Sequence, residues 1–128
     1  MKIEHFALNV LSPVEMAAWY EENMGLKIVR RSDGPSREHF LADESGQVML
    51  ELYNNKNAPV PNYESMSPLQ LHLAFVSEKP SEDHERLSRA GARFVEEIHL
   101  DDGSHLLMMR DPWGTPIQFC KRGKPMLR

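Results

Sequence analysis

Four polar side chains set in apolar, strand-like surroundings are the residues best placed to do chemistry: His5, Glu51, His72 and Gln118. His5 lies in an alternating run, with Ile3, His5, Ala7 and Asn9 on one side and Phe6, Leu8 and Val10 on the other. Glu51 is the centre of Met49-Leu50-Glu51-Leu52-Tyr53, and Gln118 the centre of Pro116-Ile117-Gln118-Phe119-Cys120; in both, the flanking apolar residues claim the opposite face. A carboxylate on a sheet face is costly to bury unless it is paired, protonated or bound to a metal. Two imidazoles, one carboxylate and one amide oxygen form a mixed nitrogen and oxygen set. Such a set suits Zn²⁺, Ni²⁺, Fe²⁺, Mn²⁺ or Co²⁺ and leaves positions open for water or substrate.

The elements that must position these residues repeat. Residues 2–10 read as a half-buried strand. Ser12-Pro13-Val14-Glu15 has the form of a capping box with proline at the first helical position, and it predicts a helix over 13–24 that Gly25 ends. Strands follow at 26–31, 38–42 and 48–53, separated by Asp- and Gly-containing turns. The same order begins again after a Pro- and Asn-rich stretch: strand 69–77, helix 80–90, then strands 94–100, 105–110 and 115–121. Landmarks keep one offset, 67 residues from His5 to His72 and from Glu51 to Gln118, 66 from Gly25 to Gly91 and 68 from Gly46 to Gly114. The expectation is an internal duplication: module one 1–54, linker 55–68, module two 69–121 and a basic tail 122–128. If the first and last strands of each module are neighbours, His5 meets Glu51 and His72 meets Gln118, and packing of the modules unites the four. That packing can occur within one chain or across a dimer.

Composition limits the partners. The 128 residues carry fifteen Lys plus Arg against nineteen Asp plus Glu, a formal charge of -4, so there is no basic field for a nucleic-acid backbone. No apolar run approaches the ~20 residues of a membrane span. Cys120 is the only cysteine and cannot close an intrachain disulfide, and MKIEHFALNV lacks the pattern of a secretory leader, so a cytoplasmic protein is expected. Cys120 reads as an inert buried thiol on the face of Gln118. His39, His84, His99 and His105 read as solvated or structural.

Two strand-helix-three-strand modules, a histidine in the first strand of each, an acid or amide in the last, and Asp111-Pro112-Trp113-Gly114 before Thr115-Pro116-Ile117-Gln118 resemble the vicinal oxygen chelate superfamily of glyoxalases, bleomycin resistance proteins and dioxygenases. The resemblance implies an α+β fold of two tandem βαβββ modules forming a curved, barrel-like mixed sheet around a concave cup. It also implies one divalent transition metal on His5, Glu51, His72 and Gln118, a small-molecule substrate and a homodimer. The His, Glu, His order is most similar to glyoxalase I-like members, and Asn55 matches an asparagine that touches glutathione there. Gln118 departs from the usual glutamate, and Asn9 from the usual arginine. The implied activity is a lyase or isomerase reaction through a metal-chelated enediolate, with Glu51 as the base because Gln118 cannot be one. The alternatives are a non-catalytic antibiotic binder, with Tyr53 and Trp113 as aromatic walls, and an Fe(II) dioxygenase.

Overall fold

The computed structural model describes residues 1–127; Arg128, the end of the expected basic tail, lies outside the described residues. The chain divides into two compact units, Met1–Pro61 and the remainder from Asn62.

In the first unit the order is β1 (His5–Asn9), α1 (Pro13–Met24), β2 (Lys27–Arg31), β3 (His39–Ala42) and β4 (Met49–Tyr53). The sheet runs β1-β4-β3-β2, with β1 and β4 parallel and the other pairs antiparallel. In this order β1 and β2 are the outer strands of the sheet. α1 packs on β2, β3 and β4. Met16, Ala17 and Tyr20 on the helix and Leu41 and Leu52 on the strands are fully buried, each large side chain contributing about 1.5–3 kcal/mol. Pro13 opens the helix as expected, and Gly25 closes it in the left-handed conformation at φ 70°. The capping box does not form. Ser12 accepts from the Met16 N–H through its backbone oxygen at 2.9 Å, and its side chain makes no capping bond; proline at the first helical position has already removed one of the unpaired donors.

The second unit repeats this plan. A 3₁₀ turn (Tyr63–Ser65) precedes β5 (Leu73–Val76), α2 (Pro80–Arg89), β6 (Arg93–His99), β7 (His105–Arg110) and β8 (Pro116–Lys121). The sheet runs β5-β8-β7-β6 with β5 and β8 parallel. α2 packs on β6, β7 and β8, and Leu87, Leu107, Met109 and Ile117 are fully buried. Even an irregularity is duplicated: the register shifts between Ile28 and Arg30 in one unit and between Phe94 and Glu96 in the other. Two βαβββ modules, each with one helix-covered face and one open face, are the fold that the sequence predicts. The first strand of the second module is shorter than expected, because residues 67–70 form a turn in which the Gln70 N–H reaches the Ser67 oxygen at 2.9 Å. His72 therefore lies one residue before β5 rather than in mid-strand.

The segment 54–68 is held at both ends. Its first part is tied to β1 through Asn9. Its second part is tied to β7, where the Arg110 guanidinium donates to the Tyr63 and Met66 carbonyl oxygens at 3.0 and 2.7 Å. Gly114 in the β7–β8 turn has φ +88°, and a Cβ there would sit 2.9 Å from Glu64 Cα, so only glycine fits both the backbone and the space.

Candidate functional site

On the open face of the first unit, the parallel register pairs His5 with Met49, Ala7 with Glu51 and Asn9 with Tyr53. His5, Glu51 and Tyr53 therefore share one face of adjacent strands, as the alternation requires. Phe40 on β3, directly opposite Glu51, meets the His5 ring edge-on with centroids 5.6 Å apart. The Glu51 side chain is 14% exposed and lies with its Oε1 3.6 Å from His5 Nε2. Burial pushes its carboxyl above the usual carboxylate range against the pull of His5, and Glu38 and Glu4 add to the rise.

The orientation of His5 fixes what that 3.6 Å gap means. Its Nδ1 lies 2.8 Å from Glu4 Oε1. An ionised carboxylate only accepts, so Nδ1 donates to Glu4 and Nε2 is the ring nitrogen that faces Glu51. The two atoms face each other beyond hydrogen-bonding distance. An imidazole nitrogen and a carboxylate oxygen at this spacing could hold a divalent cation, since ligand bonds of about 2.0–2.2 Å place neighbouring donor atoms about 3–3.5 Å apart. A carboxylate holding the far nitrogen of a histidine is also the usual outer support of a metal ligand.

In the second unit, the His72 Nδ1–H donates to the Pro68 carbonyl at 2.8 Å, and Nε2 is the nitrogen left outside that bond. Gln118 pairs with Ala74 across the parallel ladder and stands on the open face. Its Oε1 accepts from Cys120 Sγ at 3.3 Å. Cys120 is buried and its thiol is pushed up by burial, opposed by Arg122. Ala74, Val76 and Cys120 share the open face and, with Pro125, Met126 and Leu127, line a cleft of about 710 Å³ to which Lys79 and Arg122 also contribute.

The other sequence-nominated residues divide by role. Asn9 is buried, and its amide is committed to the loop: Nδ2 donates to the Asn55 and Ala58 oxygens at 3.1 and 3.0 Å, while Oδ1 accepts from the Asn55 N–H at 2.8 Å. Asn55 is half-buried and its Oδ1 accepts from the Asn57 N–H. Tyr53 lies half-buried beyond Glu51 on the same face. Trp113 is half-buried in the turn that Asp111 organises, its N–H donating to Asp111 Oδ1 at 2.9 Å. His39 is buried with Nδ1 on the Arg37 oxygen, a structural part.

A further cluster was not singled out by the sequence pattern. Glu97, His99 and His105 each place a ligand atom within 4.8 Å of the others. The signal was present, since His99 and His105 stand symmetrically about the Asp101-Asp102-Gly103 turn and Glu97 is two residues from His99 on the same strand face.

A duplicated βαβββ architecture with one histidine and one carboxylate or amide at matching places in each repeat defines a narrow class of protein. A sequence model of the Glyoxalase/Bleomycin resistance protein/Dioxygenase superfamily matches residues 2–119, and the chain belongs to that superfamily. It is 27% identical over 129 residues to a lactoylglutathione lyase of Neisseria meningitidis serogroup A, a match spanning 95% of this chain and 91% of that protein. Among solved structures, it is similar to TnmS3, an antibiotic binding protein from Streptomyces sp. CB03234, with TM-score 0.73 at 18% identity over 95% of this chain and 96% of that one. It is also similar to a lactoylglutathione lyase from Agrobacterium tumefaciens, with TM-score 0.66 at 20% identity over 92% and 91% of the two chains. These structural likenesses establish the shared fold. Among the described residues, no helix is long and apolar enough to cross a membrane.

Proposed function

We propose that this chain is a metal-dependent lyase or isomerase of the glyoxalase type, acting on a small carbonyl compound with two adjacent oxygens. The observation that carries the reading is the His5–Glu51 pair, an imidazole nitrogen and a half-buried carboxylate oxygen 3.6 Å apart on one strand face, with His5 held from behind by Glu4. His5, Glu51 and His72 are the proposed ligands, with Gln118 as a weaker fourth. A divalent ion there, whether Zn²⁺, Ni²⁺, Fe²⁺, Mn²⁺ or Co²⁺, would supply Lewis-acid polarisation of the substrate oxygens. The chain itself does the rest. Glu51 accepts the proton alpha to the carbonyl. Tyr53, on the same face two residues on, and Trp113 in the second unit supply apolar walls, and Asn55 contributes a backbone or amide contact. Asn9 acts indirectly, by holding the loop that carries Asn55.

A second reading, a non-catalytic binder of an apolar small molecule, is favoured by the cleft beside Cys120 and by the likeness to an antibiotic binding protein. Elemental analysis and reconstitution separate the two. The lyase reading expects stoichiometric transition metal after reconstitution, lowered in His5→Ala, and turnover of hemithioacetals or α-hydroxycarbonyls that chelators abolish. No metal uptake together with tight binding of apolar ligands overturns it.

A further inference from the structure

We propose a second metal site, built from Glu97, His99 and His105 on the β6–β7 hairpin and distinct from the open-face residues above. His99 and His105 are directly opposed in the antiparallel ladder, and Glu97, two residues before His99, points to the same side. That side is the helix-covered face. His105 shares it with the buried Leu107 and Met109, whereas Gln118 is opposite Met108, whose side chain points the other way. The three ligand atoms already converge within 4.8 Å. His105 Nε2 and Glu97 Oε2 are 2.8 Å apart, and the two imidazoles are stacked with centroids 4.0 Å apart.

This arrangement has the chemistry of a cation site. Three donors from two paired strands, two residues apart on one and directly across on the other, bring imidazole and carboxylate groups onto one ion of the Zn²⁺, Ni²⁺ or Cu²⁺ type. His105 is 9% exposed and held by the sheet, so it is the fixed ligand. Glu97 and His99 are exposed and can turn the short distance needed for bonds of about 2.0–2.2 Å. A fourth position is left to water. His84 on α2 stands nearby, stacked on Phe94 at 4.9 Å and felt electrostatically by Glu97. Lys121, opposite His105 on β8, is exposed, so its long side chain can turn its charge into solvent. An ion here would clamp the hairpin that closes the second module's free edge.

The test uses untagged full-length protein carrying His5→Ala and His72→Ala, both at exposed positions outside this cluster. Zn²⁺ is titrated against a chromophoric chelator at pH 7.5, and the site predicts about one ion per chain with micromolar or tighter affinity. Adding His99→Ala, or separately Glu97→Gln, should weaken binding by about tenfold or more, with circular dichroism unchanged because both positions are exposed. Binding weaker than about 100 μM in the parent, or unaltered by both substitutions, overturns the proposal.

Discussion

Asn9→Ala separates a loop anchor from a substrate contact. The Asn9 amide makes three bonds of 2.8–3.1 Å to the segment that follows β4, at a position that is 9% exposed. At roughly 1 kcal/mol net for each bond, with a small addition for backbone groups left poorly solvated, the substitution should cost about 2–4 kcal/mol. For a domain of this size that corresponds to a fall in melting temperature of roughly 7–14 °C. Urea unfolding should show the lower midpoint with an unchanged slope. Asn9→Asp retains the acceptor for the Asn55 N–H but sets a carboxylate against the Asn55 and Ala58 carbonyl oxygens, so it should be worse than alanine at pH 7 and recover as the pH falls toward about 4. Stability of Asn9→Ala within about 0.5 kcal/mol of the parent, with a loss confined to substrate affinity, would show that Asn9 is a substrate contact and not a loop anchor.

Thr115 is fully buried and, among the described residues, its Oγ1 has no hydrogen-bond partner, so Thr115→Val should leave stability unchanged or raise it by about 1 kcal/mol; a loss of more than that in thermal denaturation would reveal a partner. Gly114→Ala combines a backbone at φ +88° with a contact against Glu64, and calorimetry should show about 2–4 kcal/mol of destabilisation, whereas Gly46→Ala, with open space around it, should cost only about 1–2 kcal/mol from its φ of +69°. The Cys120 thiol, pushed up by burial from its ordinary value of 9.0, should alkylate slowly at pH 7 and accelerate about tenfold per pH unit up to and beyond pH 9, and an early plateau near pH 8 would contradict that.

Both modules could be read from sequence because their signals are local. Pro13 and Pro80 open the helices, glycines end them, and alternation sets Leu50 and Leu52, or Ile117 and Phe119, opposite Glu51 and Gln118. The adjacency of β1 and β4 that brings His5 to Glu51 was only a condition at the level of sequence, since a crossover helix permits parallel pairing without choosing the partner strand. Roles set by tertiary hydrogen bonds were not legible. Nothing local distinguishes Asn9 as an anchor, because its partners lie 46 to 50 residues away. Nor does sequence place Glu4 on the back of His5, since neighbouring residues in a strand point to opposite faces and this contact depends on the side-chain rotamers at the strand's first residue. The turn at Ser67 and Gln70 shortened β5 for a similar reason, a side chain competing with the ladder for a backbone N–H.

On the proposed reading, Glu51 removes a proton from the carbon next to a carbonyl that a bound divalent ion would polarise. Proton NMR in D₂O of metal-reconstituted protein with a panel of hemithioacetals and α-hydroxyketones measures this directly, as exchange of the alpha proton for deuterium. Exchange that needs the metal and drops about a hundredfold or more in a folded Glu51→Gln variant is the predicted result. Exchange undiminished by Glu51→Gln would show that Glu51 is not the base, and exchange absent from every substrate with metal bound would show that the chain is not a lyase or isomerase of this type.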